Sequence, residues 1–196
     1  MPVNNSLRKQ SGPRAMLHTV STEEIIITAV RVAGSLPVLR WALAGGLLAV
    51  LVDLSDLFQM NLLDLGGVAN YQALDKWLDI AYLATFAIVA LRWRGATRSI
   101  AVGLLAFRTL GFLAFELTGN RWVLVAFPNV FEFWFLFVAG MHHYRPAYQL
   151  DVRRSLLWLV PLALAKEAHE LVLHGGRWLD NYTAVEVVEN AWRWLF

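Results

Sequence analysis

The feature that most constrains this chain is the length of its apolar blocks. Five stretches, at about 39–59, 74–92, 99–118, 121–141 and 155–175, approach the ~20 residues that carry a helix across bilayer hydrocarbon. The apolar residues are gathered in blocks rather than spread by a helical period. Hydrophobic residues make up 58% of the chain and charged residues 16%, where soluble domains have about 45–50% and about 25%. The expectation is an all-α integral membrane protein, a bundle of five transmembrane helices over 38–176.

Charge gives the orientation. Basic residues collect on the cytoplasmic side of membrane proteins. Arg8, Lys9, Arg14, Arg31 and Arg40 precede the first block, Arg92, Arg94 and Arg98 follow the second, and Arg145, Arg153 and Arg154 follow the fourth. The alternate connections are acidic or mixed, with Asp64, Asp75 and Lys76 in one and Asp180, Glu186 and Glu189 in the tail. The N-terminus is therefore expected inside and the C-terminus outside, in the cell membrane. Trp41, Trp93, Tyr144, Tyr148 and Trp158 fall at the inner boundary, and Trp77, Trp122, Trp178 and Tyr182 at the outer one. Residues 1–37 read as a cytoplasmic segment with an amphipathic helix at about 22–35, opened by the capping box Ser21 to Glu24. Residues 177–196 read as a second interfacial helix, opened by Thr183 and Glu186. No apolar region directly follows Arg8, Lys9 and Arg14, so a cleaved signal peptide is not expected. The expected partners are the lipid bilayer and either a homo-oligomer or another membrane subunit, with no nucleic acid. The absence of cysteine excludes disulfides, thiol catalysis and thiolate metal sites.

Charged groups inside such blocks cost at least ~2.5–3.5 kcal/mol each and turn inward toward partners. Counting the helical rise from the expected ends sorts them by depth. A middle layer holds Arg108, Glu132, Lys166 and Glu167, whose charges cancel. Pairing Arg108 with Glu132, and Lys166 with a carboxylate, makes this layer a structural ion-pair network. An outer layer holds Asp53, Asn129, Glu170 and His169, and no buried cation at that depth balances the two carboxylates. Such groups are expected to have raised pKa values, or else to share a proton or bind a cation. Asp56, Glu116, Arg121 and His174 would rim an opening to the outside. The block at 74–92 has no charge between Asp79 and Arg92 and is expected to face lipid. Pro128 and Pro161 are expected to kink their helices.

The motif HELVLH at 169–174 sets its histidines five apart, about 140° around a helix, so the four-residue spacing of the zinc-protease motif is missed. A divalent-metal site from Asp53, Glu170 and His174 stays open. Haem is disfavoured, because His142 and His143 lie inside while His169 and His174 lie toward the outside. No GxSxG, Walker A or GxGxxG pattern is present. Three functional readings follow. One is an outward-opening membrane enzyme or binding protein for a lipid-soluble or amphiphilic substrate, with Asp53, Glu170, His169 and His174 as acid–base groups. The second is an oligomeric proton or cation pathway. The third is a structural subunit whose charges only pair helices.

Overall fold

The computed structural model describes residues 21–55, 71–120, 122–170 and 192–193. The chain is all-α there, with no strand among the described residues. In order come α1 (Thr22–Ser35), a 3-10 turn (Leu36–Leu39), α2 (Ala42–Leu54), α3 (Tyr71–Ala90), α4 (Ala96–Thr118), α5 (Trp122–Ala126), α6 (Val130–Tyr144) and α7 (Val152–Glu170). The described parts of the stretches expected as spans fall on α2, α3, α4, the α5–α6 pair and α7, while 56–59, 121, 171–175 and nearly all of the expected helix at 177–196 lie outside the described residues.

The capping box forms as the residues dictate. Ser21 Oγ accepts from the Glu24 amide and Glu24 Oε2 accepts from the Ser21 amide, each at 3.1 Å. The helix it opens does not stand apart from the bundle. Pro37, near the start of the 3-10 turn, reverses the chain so that α1 packs on α2 and α3. Gly45 permits this turn, because a Cβ there would run into the backbone of Pro37 and Val38.

The centre of the core lies between α3 and α6. Phe86, Phe131, Trp134, Phe135 and Val138 are fully enclosed, and Phe86 stacks on Phe135 with ring centroids 3.9 Å apart. Leu78, Tyr82, Phe86 and Val89 recur at helical spacing along one buried face of α3. This corrects the expectation that the block at 74–92 faces lipid. Its lack of charge beyond Asp79 marks an aromatic packing face instead. Trp93, expected at an interface, is likewise inside, stacked on Phe135 at 5.3 Å.

The two prolines behave differently. Around Pro128 the helix breaks into α5 and α6, whereas α7 runs on through Pro161. The break frees the Phe127 carbonyl, which accepts from Arg108 Nη1 at 3.1 Å. Gly111 lets α4 lie against Phe127, whose ring base a Cβ would strike.

Several polar side chains lie inside and several leucines outside. Arg31, Asn129, Glu132, Ser155 and Lys166 are buried, while Leu47, Leu51, Leu110, Leu117, Leu157 and Leu164 are exposed. Unpaired charges are costly inside, so each buried one calls for a partner. Among the described residues α4, with 23 residues, is the helix long and apolar enough to cross a membrane, and Ala42–Leu54 and Trp77–Ala90 are shorter apolar helices.

Two glycine substitutions separate packing from propensity. Gly45→Ala should destabilise by about 1–3 kcal/mol, since backbone cannot move aside for the methyl. Gly103→Ala, with nothing within 4 Å of the added carbon, should stabilise α4 by about 0.5–1 kcal/mol. Unfolding midpoints of both variants in one detergent check this, and shifts of the same sign would refute it.

Candidate functional site: a buried network of ion pairs

The site begins at Arg31. It follows Ile27 by one helical turn, and both are buried where α1 meets α2 and α3. Arg31 makes a direct ion pair with Asp53 of α2, and its Nη2 lies 2.8 Å from Asp79 Oδ1 of α3. The other oxygen of Asp79 faces α4, 3.7 Å from Arg108 Nη2. Asp79 thus sits between two guanidinium groups, and four helices meet at this cluster.

One turn along α3, Tyr82 starts a second cluster. Its hydroxyl accepts from Asn129 Nδ2 at 2.8 Å and donates to Glu132 Oε2 at 3.3 Å. Asn129 also donates to Glu132 Oε2 at 3.2 Å. It is the cap residue of α6, but its side chain makes no cap bond to the helix backbone. Glu132 accepts from Lys166 Nζ of α7 at 3.5 Å. Lys166 Nζ lies 5.1 Å from the centroid of the Phe133 ring and 3.4 Å from His169 Nδ1. A cation over an aromatic face gains further electrostatic stabilisation where water is excluded.

The charges cancel. Arg31, Arg108 and Lys166 meet Asp53, Asp79 and Glu132. Two sequence expectations are corrected by this pattern. Asp53 does have a buried cation, supplied by a helix expected to lie on the surface. Arg108 pairs with Asp79 rather than Glu132, because the helix break at Pro128 hands Arg108 the Phe127 carbonyl and leaves Glu132 facing α7. The two expected depth layers also merge, since Asn129 and Glu132 share the Tyr82 hydroxyl.

Of the residues singled out by sequence, Asp53, Arg108, Asn129, Glu132, Lys166 and His169 enter the network. Glu167 is half-buried on α7, and Glu116 is exposed near the end of α4. Glu170 closes α7, and its side chain, together with Asp56, Arg121 and His174, lies outside the described residues. Sequence reasoning missed Arg31, Asp79 and Tyr82. The Ile27–Arg31 and Asp79–Tyr82 spacings, four and three residues on one helical face, were the available signal.

Between α3 and α4 the network reaches a groove of about 340 Å³. Leu83, Ala84 and Ala87 form one wall, and Leu105, Phe112 and Leu113 the other. The Asp79–Arg108 pair interrupts this apolar surface. Among the described residues no three His, Asp or Glu side chains gather as a metal site. No family model, curated protein or solved structure matches the chain.

Removing the hub should be costly. Arg31→Met leaves Asp53 and half of Asp79 without their guanidinium and should lower stability by about 3–5 kcal/mol. Adding Asp53→Asn should recover part of that loss. Chemical unfolding of both variants measures it, and no recovery in the double variant would show that Asp53 is not the partner that matters.

Proposed function

We propose that this chain is a multi-pass membrane protein that binds an amphiphile with a neutral, hydrogen-bonding head in the groove between α3 and α4. The single observation that carries the reading is the Asp79–Arg108 pair set in a wall that is otherwise apolar except for Thr109. Leu83, Ala84, Leu105, Phe112 and Leu113 match a hydrocarbon tail. Arg108 has five N–H donors, of which Phe127 and Asp79 take only some. A hydroxyl or carbonyl head can share the rest. A charged head is disfavoured, because the network's charges already cancel and an added one would be uncompensated at low dielectric.

Membrane residence is supported by the apolar length of α4 and by the exposed leucines of α2, α4 and α7. Orientation is supported by the basic connections. Arg92 Nη1 donates to the Leu39 carbonyl at 3.2 Å, and Arg92 and Arg94 share a cavity with Pro146 and Tyr148. Three basic connections thus meet at one end, the end we assign to the cytoplasm. Acid–base chemistry on a bound head would fall to the chain of groups running from Asp79 and Tyr82 to Glu132, Lys166 and His169. The charge balance favours a second reading, in which the network only assembles helices.

Alkaline carbonate should leave the full chain in the membrane pellet, and release into the supernatant would overturn the membrane half of the proposal. For the groove, a long-chain alcohol bearing a diazirine should label peptides of α3 and α4 in reconstituted protein. Ala84→Trp, which fills the groove from an exposed position, should cut labelling about tenfold, and Arg108→Gln should also weaken it. Labelling indifferent to Ala84→Trp would leave the structural reading standing.

A further inference from the structure

A second cavity, of about 600 Å³, lies where the α3–α4 and α6–α7 connections meet. Its walls include Arg92, Arg94, Gly95, His142, Tyr148 and Gln149, and no carboxylate among the described residues lines it. The contrast with the buried network is chemical: there every described acid faces a cation, while here two arginines line a cavity with no acid among its described walls. Arg154 adds a third nearby cation, 5.1 Å from the centroid of the Tyr148 ring, although its Nε also lies 3.8 Å from Asp151.

The backbone adds to this field. Gly95 caps α4 at φ 63° and ψ −142°, a conformation that only glycine adopts without strain, and no side chain caps the first turn. The positive end of a 23-residue helix therefore opens beside the two arginines. Arg92 is held in place by its bond to the Leu39 carbonyl, which engages one nitrogen and leaves the rest of the fork.

We infer that this cavity is a binding site for a phosphate group carried on a larger molecule. The guanidinium fork matches two phosphate oxygens at once, a geometry that an ammonium cannot offer. The volume exceeds what a bare phosphate needs, so an ester substituent has room. The same chemistry has two sources, the headgroup of an anionic lipid or a soluble phosphate. The site is independent of the amphiphile groove, and only the lipid source rests on the membrane reading.

The test uses the full chain in detergent micelles, with native mass spectrometry counting retained phosphatidic acid and phosphatidylcholine. Phosphatidic acid should be retained about tenfold better, and Arg94→Gln should weaken its binding about tenfold. Arg94 is exposed, so its loss spares the fold, as matched circular dichroism will verify. Arg153→Gln removes the same charge outside the cavity and should change retention little. Inorganic phosphate is added as competitor. Displacement by it assigns the site to soluble phosphates, and persistence of the lipid assigns it to headgroups; both support the phosphate site. Equal retention of the two lipids with no binding of inorganic phosphate overturns it, as does equal weakening by Arg94→Gln and Arg153→Gln. A chain that carbonate extracts from membranes but that still binds inorganic phosphate would refute the membrane reading and leave this site intact.

Discussion

Asp79 shares its two carboxylate oxygens between Arg31 and Arg108, and the arrangement of the first four helices depends on that sharing. An ion pair away from water pays heavily for desolvation and repays it only with close geometry and further hydrogen bonds. Replacing the whole set by hydrocarbon would cost little, but removing one member strands a charge. The network therefore acts less as a source of stability than as a constraint on which helices meet. Leucine-rich surfaces can pack in many registers; a carboxylate needing two guanidinium groups accepts few.

The break at Pro128 carries that constraint into the second half of the chain. It releases the Phe127 carbonyl to Arg108 and starts α6 at Asn129. Asn129 and Glu132 then face Tyr82 on α3, and Glu132 reaches Lys166 on α7. Aromatic packing of Phe86 and of Trp93, just past the end of α3, on Phe135 holds α3 and α6 together beside these polar contacts. The groove and the polar network are two sides of one arrangement, because Asp79 and Arg108 belong to both.

The helices themselves were largely legible. The Ser21–Glu24 box marked the start of α1, and the apolar blocks fell on helices. Six of the residues singled out for chemistry, among them Asp53, Glu132 and Lys166, do enter the network. The pairing was less legible. Depth counting assigned Arg108 to Glu132 because both lie mid-block, and it set Arg31 aside because an amphipathic helix ordinarily lies flat at an interface. Counting along single helices gives height, not the rotation and approach that decide which charges meet.

The sequence alone determined that this chain is helical, that its apolar residues gather in long blocks, and that charged residues lie among them. Those conclusions follow from local properties: block length, capping residues and the cost of an unpaired charge. Only the tertiary structure decided the pairs. Pro37 folds α1 back, Gly45 lets the turn close, and Pro128 divides a helix, each by a backbone effect whose consequence appears several turns away. Arg31 became the hub for that reason. Its partners are set by how three helices approach one another, a property that no single stretch of the chain contains.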